Sequence, residues 1–334
     1  YCPFVTNNFT SFGKFDAMQK YCGGVLAPNG LIYFLPCSST NVLIVDPLTN
    51  TYDTTTISGL PDGISKWQSG VLTPDGIIYV APSNHSSVLR IDTNNNTYDL
   101  NTFKGFNGSY KWYSGAYANN KVYFAPDTSS SILVINLTDN TYELVGNLSS
   151  LPNKYTGFVH GSNGFLYGIP SSSNNVLILN TNNNLVDTTT ITNLGNNPLK
   201  WNGGAFFNDK IYCPPFNSNN FLIIDTKTNT VNTSSISGFT GENLFKGIVS
   251  APDGYLYSVP FNSSYVAKVD PNSNTVDTTF ISNLPITQGK WCGGVFTHVG
   301  KIFLAPFTSS IGVIGTGNPV LPTEMFLSSY FNKY

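Results

Sequence analysis

The chain has 334 residues, 40% of them hydrophobic but only 10% charged, with a formal net charge of −2. Soluble chains usually carry about 25% charged residues; here Asn, Ser and Thr take that role, so a nucleic-acid or anionic-membrane partner has no electrostatic footprint. No apolar run reaches the roughly 18 residues of a membrane-crossing helix, and a start at Tyr1 rather than Met reads as a processed mature chain.

In chain order, residues 1–19 form an N-terminal segment whose Asn7-Asn8-Phe9-Thr10 stretch resembles the ends of later units. From Lys20 a phrase begins that recurs throughout. Lys20 to Pro36 reads KYCGGVLAPNGLIYFLP, Lys66 to Pro82 reads KWQSGVLTPDGIIYVAP, and Lys290 to Pro306 reads KWCGGVFTHVGKIFLAP. Weaker copies start at Lys111, Lys154, Lys200 and Leu244. The closing aromatics, Tyr33, Tyr79, Tyr123, Tyr167, Tyr212, Tyr257 and Phe303, are spaced 46, 44, 44, 45, 45 and 46 residues apart. Such a period marks a solenoid, propeller or array.

Within a unit, a first strand ends at Val71-Leu72 and a turn at Pro74-Asp75-Gly76 leads to a second strand over Ile77 to Val80. The P-D-G and P-N-G triplets suit a two-residue hairpin turn. A third strand spans Val88 to Asp92 and a fourth Thr97 to Leu100. The third recurs at Val42 to Asp46, Ile132 to Asn136, Val176 to Asn180, Phe221 to Asp225, Val266 to Asp270 and Ile311 to Ile314. Four short strands per unit and no 3.6-residue stripe predict an all-β chain, a seven-bladed β-propeller of four-stranded antiparallel blades. The seventh unit lacks its fourth strand, so residues near 5 to 12 are expected to supply it and close the ring, removing an exposed edge. The propeller repeats then occupy residues 20–314 and a tail, 315–334, lies outside the ring.

The repeated phrase resembles units in uncharacterised secreted propellers of algae, protists and bacteria, and is more loosely similar to the NHL, YncE and virginiamycin-lyase groups. The resemblance implies the fold. Virginiamycin lyase relies on channel-facing histidines and a divalent metal, whereas His85, His160 and His298 here fall in different repeat contexts, so no catalytic residue carries over.

Six lysines open the inner strands: Lys20, Lys66, Lys111, Lys154, Lys200 and Lys290; in the sixth unit Leu244 stands there, with Lys246 two residues on. Rotational symmetry would make a ring of ammonium groups, a candidate anion or acidic-glycan site. The structural alternative sets each lysine over an aromatic such as Trp67, Trp112, Trp201 or Trp291, or beside Asp53, Asp99, Asp187 or Asp277. Asp46, Asp92, Asp225 and Asp270 precede turns whose N–H groups they can cap. No H-E-x-x-H, C-x-x-C or G-x-S-x-G occurs, so no cofactor is expected; calcium in the channel stays open as an alternative.

A two-residue turn at Asn29-Gly30 would put Cys22 opposite Cys37, a disulfide candidate; the rival joins Cys22 to Cys292 across the seam. Cys213 reads as a buried thiol, and Cys2 as available for an intermolecular bond. Sequons occur at Asn8, Asn84, Asn95, Asn107, Asn136, Asn147, Asn232 and Asn262. The tail holds Met325, Phe326, Leu327, Tyr330, Phe331 and Tyr334, too apolar for a disordered linker. These features point to an extracellular, glycosylated structural protein that is not an enzyme and assembles with itself head to tail through its terminal segments, Cys2 included. The alternatives are a lectin using aromatics such as Tyr110, Tyr113 and Phe216, or a lyase or hydrolase acting on a glycan at the channel mouth.

Overall fold

The computed structural model describes residues 8–15 and 19–316. Cys2, Met325, Phe326, Leu327, Tyr330, Phe331 and Tyr334 lie outside the described residues. Every described element is a strand, so no helix is long and apolar enough to cross a membrane. The strands form seven four-stranded antiparallel sheets arranged as a propeller. The inner strands of blades 1 to 7 begin at Tyr21, Trp67, Trp112, Tyr155, Ala205, Phe245 and Trp291. Blade 7 is composite. Its inner three strands are Trp291–Phe296, Lys301–Pro306 and Ile311–Gly315, and its outer strand is Phe9–Phe12, paired Phe9 to Ile314 through Phe12 to Ile311. The ring therefore closes by exchange between the two ends of the chain.

Packing follows the repeat. Consecutive residues of the second strands are buried, so both faces of each sheet pack against neighbouring blades. The tryptophans that open inner strands stay in their own blade, with Trp67, Trp112, Trp201 and Trp291 each donating an indole N–H to a carbonyl 19 or 20 residues ahead at 2.8 Å. The period-marking tyrosines reach the next blade. Tyr33 donates to Asn96 (2.6 Å), Tyr123 to Asn184 (3.2 Å) and Tyr212 to Asn274 (3.0 Å). Each of these asparagines holds a positive-φ turn position, so one tyrosine joins two blades and fixes a hairpin.

Two-residue hairpin turns occur at Asn119-Asn120 and Asn208-Asp209, whereas the P-N-G and P-D-G turns differ from that form. Ala27 N–H bonds to Leu31 carbonyl and Gly30 N–H to Ala27 carbonyl, so the loop is Pro28-Asn29-Gly30, with Gly30 at φ 82°. Pro28 at the second turn position favours a type I turn, and the third loop residue must then be left-handed, which glycine allows. The register moves by one: Val25 faces Tyr33 and Gly24 faces Phe34. A bulge follows, placing Tyr21 opposite Pro36. Cys37 thus falls beyond Cys22, and the expected Cys22–Cys37 bridge does not form. Cys22 bonds instead to Cys292 across the seam of blades 1 and 7, with Cα atoms 4.9 Å apart, and Cys37 and Cys213 are buried thiols.

Candidate binding site at the channel mouth

The same bulge recurs in the inner strands of blades 1, 2, 3, 4, 6 and 7. It sits on the x-G or x-S pair of the K-W-x-G-G phrase. The second residue of each pair makes a neck where backbones touch. A Cβ on Gly293 would stand 2.9 Å from the Cα of Gly23, and one on Gly203 would stand 3.0 Å from the Cα of Gly247. At Gly293 and Gly203 the approach excludes a side chain, and elsewhere in the neck nothing larger than Ser69 and Ser114 occurs. The first residue of each pair (Cys22, Gln68, Tyr113, Thr156, Asn202, Lys246 and Cys292) forms a layer just above the neck. With it comes a second layer, the residue after each second-strand proline: Cys37, Ser83, Asp127, Ser171, Phe216, Phe261 and Phe307.

The two layers divide by chemistry. From blade 5 round to blade 1 runs an apolar arc. Phe216 lies 5.8 Å from Phe261 and Phe261 5.2 Å from Phe307, and Phe307 packs with Cys37 and the Cys22–Cys292 bond. From blade 2 to blade 5 the layers are polar. Lys246 reaches between the arcs, its ammonium 4.9 Å from the Phe307 ring, 5.1 Å from Phe261 and 5.8 Å from Tyr113 of blade 3. Burial pushes Asp127 up to about 6, partly offset by the ammonium groups of Lys154 and Lys246. A cavity of about 90 Å³ runs along the axis, lined among others by Tyr113, Thr156, Asn202 and Lys246.

The strand-opening lysines do not build the candidate ring of anion-binding groups. Lys66, Lys111, Lys154, Lys200 and Lys290 are buried. The Lys111 ammonium donates to the carbonyls of Ser83, Gly108 and His85 at 2.6, 2.9 and 3.1 Å, and Lys154 to those of Asp127 and Leu151 at 2.8 and 2.9 Å. Lys66 and Lys200 repeat the pattern onto Ser39 and Ser173, and Lys290 bonds to Thr287. Each ties the loop before its own strand, and in four blades the preceding blade as well. Burial lowers Lys111, Lys154, Lys200 and Lys290 to about 8. Three lie over their tryptophans at 5.6 to 6.0 Å, the alternative raised by the sequence. Lys20 is half-buried at the equivalent place in blade 1.

The outer-strand acids do not pair with these lysines. Asp53, Asp187 and Asp277 each accept a threonine N–H at 2.7 Å, and the Thr56 and Thr55 hydroxyls hold Asp53 down at about 2. Asp46, Asp92, Asp225 and Asp270 cap turns in the same way. The histidines are far apart in role. His85 stacks on Trp67 at 4.6 Å, His160 bonds to the Tyr117 carbonyl at 2.9 Å, and His298 is buried near the Gly30 turn at the other end of the ring. Among the described residues no three His, Cys, Asp or Glu side chains gather to hold a metal. Of the aromatics suggested for a lectin, Tyr110 is half-exposed, Tyr113 faces the channel, and Phe216 is buried in the apolar arc. All eight sequon asparagines are at least partly exposed.

The layer at the mouth is legible in the repeat once its place is known. Between a recurrent lysine-aromatic pair and a recurrent glycine, the phrase keeps one position at which every unit but the first and last differs. A site built by a ring is variable where the repeat is otherwise uniform.

Fold and site define a seven-bladed propeller with an asymmetric, partly polar channel mouth. Residues 156–320 match the family model described as a repeat of unknown function (DUF6923). No curated protein matches the chain in sequence. Among solved structures, the chain is similar to a streptogramin B lyase, at 15% identity over 92% of this chain and 98% of that one, with a TM-score of 0.72. It is also similar to virginiamycin B lyase from Staphylococcus aureus, determined with quinupristin, at 15% identity, 92% and 99% coverage and a TM-score of 0.73. A third likeness is to the extracellular domain of a protein described as a hybrid two-component system from B. thetaiotaomicron, at 10% identity, 91% and 43% coverage and a TM-score of 0.64. At these identities the likeness is one of fold.

Proposed function

We propose that the chain is an extracellular structural protein that assembles head to tail, the tail of one copy docking on the channel-mouth face of the next. The observation that carries this reading is a crown of exposed apolar residues. Ile64, Tyr110, Leu151 and Ile286 are 70%, 44%, 43% and 93% exposed. All four sit in the loops leading into the inner strands of blades 2, 3, 4 and 7, and so surround one mouth of the channel. The described ends of the chain leave at the opposite face, where Gly315 N–H bonds to the Asn8 carbonyl beside the hairpin turn of blade 7. The 317–334 tail therefore follows from one face, while the apolar crown, exposed among the described residues, surrounds the other. A contact between unlike faces does not close on itself, and repetition produces a filament.

The seam disulfide, the low charge and the exposed sequons support an extracellular setting. Histidines fixed in separate structural contacts favour a binding role over a lyase. The test is sedimentation velocity of the full chain and of an Ile64→Asp/Ile286→Asp variant over a hundredfold range of concentration. Self-association in the first and a monomer of unchanged melting temperature in the second are expected. A full chain that stays monomeric throughout contradicts the proposal.

A further inference from the structure

We propose that the channel mouth binds a uronic-acid unit of an acidic glycan, with Lys246 as its counter-ion and the polar arc of blades 2 and 3 as its hydroxyl-reading wall. This site stands independently of self-assembly. Among the described residues, buried side-chain polar atoms without a hydrogen-bond partner are few, and four belong to this arc: Gln68 Oε1, Ser83 Oγ, Tyr113 Oη and Asp127 Oδ1. Gln68, Ser83 and Asp127 are each more than nine-tenths buried. Their positions are rotationally equivalent to Lys246, Phe261 and Phe307, whose side chains meet at the axis. Buried polar atoms left unpaired are costly, and a native cluster of them marks a missing partner.

The chemistry of the partner follows from what is unpaired. A carboxylate oxygen and an amide oxygen accept, and two hydroxyls do either, so the ligand must bring hydroxyl donors. Lys246 forms no ion pair among the described residues; its ammonium lies against three aromatic rings and acts on the Asp127 carboxyl only at longer range, so an anion brought by the ligand finds a counter-ion there. Phe261 and Phe307 offer flat faces to C–H groups. A phosphodiester or a fully ionised phosphate monoester would satisfy the lysine but leave Gln68 and Asp127 without donors. A divalent cation would meet the lysine as a like charge. A hydroxylated carboxylate satisfies all three surfaces. Tyr113 and Lys246 line the axial cavity of about 90 Å³, which admits one edge of such a ring while the rest stays in the open mouth; Gln68, Ser83 and Asp127 are not among its lining residues and are reached by a side-chain shift.

The experiment is titration calorimetry of the full chain at low concentration with D-galacturonate and, as controls, D-galactose and acetate. Galacturonate should bind saturably with a Kd on the order of 1 mM. Galactose and acetate should each bind at least about tenfold more weakly, because each lacks one half of the match. Lys246→Met should weaken galacturonate by about tenfold and leave galactose unchanged. Tyr113→Phe, which keeps the ring and removes one unpaired hydroxyl, is the second variant and should weaken galacturonate several-fold with an unchanged melting temperature. Absent saturable binding to the folded wild type, equal affinity for galactose, or full binding in both variants would each overturn the proposal.

Discussion

Closure of the ring rests on a strand of four residues, and truncating its anchor is a quantitative test of that arrangement. Phe9 is 1% exposed and packs edge-on against Trp291 at 5.2 Å, inside the core shared by blades 6, 7 and 1. Phe9→Ala removes a fully buried ring at a place where the neighbouring tryptophan is held by its own indole hydrogen bond to Ser310, so collapse into the gap is limited. Core Phe→Ala changes cost about 3–5 kcal/mol, and limited collapse puts this one in the upper half of that range. A second closure acts in parallel. The Cys22–Cys292 bond spans 270 residues, and constraining a loop of that length removes unfolded-state entropy equivalent to roughly 5.6 kcal/mol in the chain-entropy picture. Urea unfolding should therefore be followed for wild type and Phe9→Ala, each oxidised and reduced, with both substitution and reduction lowering the midpoint. The reduced variant should lose the most, with blade 7 opening first in hydrogen exchange. A Phe9→Ala protein within about 0.5 kcal/mol of wild type in the reduced state would refute strand exchange as the closure, since surface changes alone stay in that range.

Further predictions follow from single contacts. Peptide mapping of acid-quenched protein should find Cys22 joined to Cys292, with Cys37 and Cys213 alkylated only after denaturation; a Cys22–Cys37 peptide would contradict the seam. Asp127, raised to about 6 by burial, binds its proton more tightly folded than unfolded, so its contribution to stability is complete below about pH 4 and lost as pH rises through about 6. The loss is about 3 kcal/mol, and Asp127→Asn should remove that pH dependence and exceed wild-type stability at pH 7. A pH-independent difference between the two in denaturant melts would show that the carboxyl is solvated. Tyr33→Phe, which unties blade 1 from Asn96 of blade 2, should cost about 1 kcal/mol in the same assay; no change would mean that water replaces the tie.

The architecture was legible because the units repeat: seven aromatics at near-constant spacing, turn triplets, and a missing strand at one end matched by a spare one at the other. Register was less legible. P-N-G permits a two-residue or a three-residue loop, and the choice, made by Pro28 at a type I turn position, moved Cys37 away from Cys22. The partners of the lysines were illegible for a different reason. A charged residue repeated in nearly every blade points to a structural role, but its partners were sought among aromatics and acids; the loop before each strand folds back instead and supplies carbonyls that take the ammonium indoors, as Gly108 and Leu151 do for Lys111 and Lys154. The axial lysine, Lys246, is the one that breaks the pattern. Its unit has surrendered the buried tie, with Leu244 in that place, and carries a cation at the channel position instead. Phe216 looked like an exposed loop aromatic because its role depends on Phe261 and Phe307, 45 and 91 residues further on.

The reading of function stands on contact between unlike faces, which a photo-crosslinker can report directly. A benzophenone amino acid placed at Phe331 in the tail, irradiated in a mixture of isotopically light and heavy full chains, yields adducts whose mass tells one copy from two. Mixed light-heavy adducts on the loops holding Ile64, Tyr110, Leu151 or Ile286 are the predicted result. Adducts confined to a single copy, or between copies but away from those loops, would contradict head-to-tail docking on the crown.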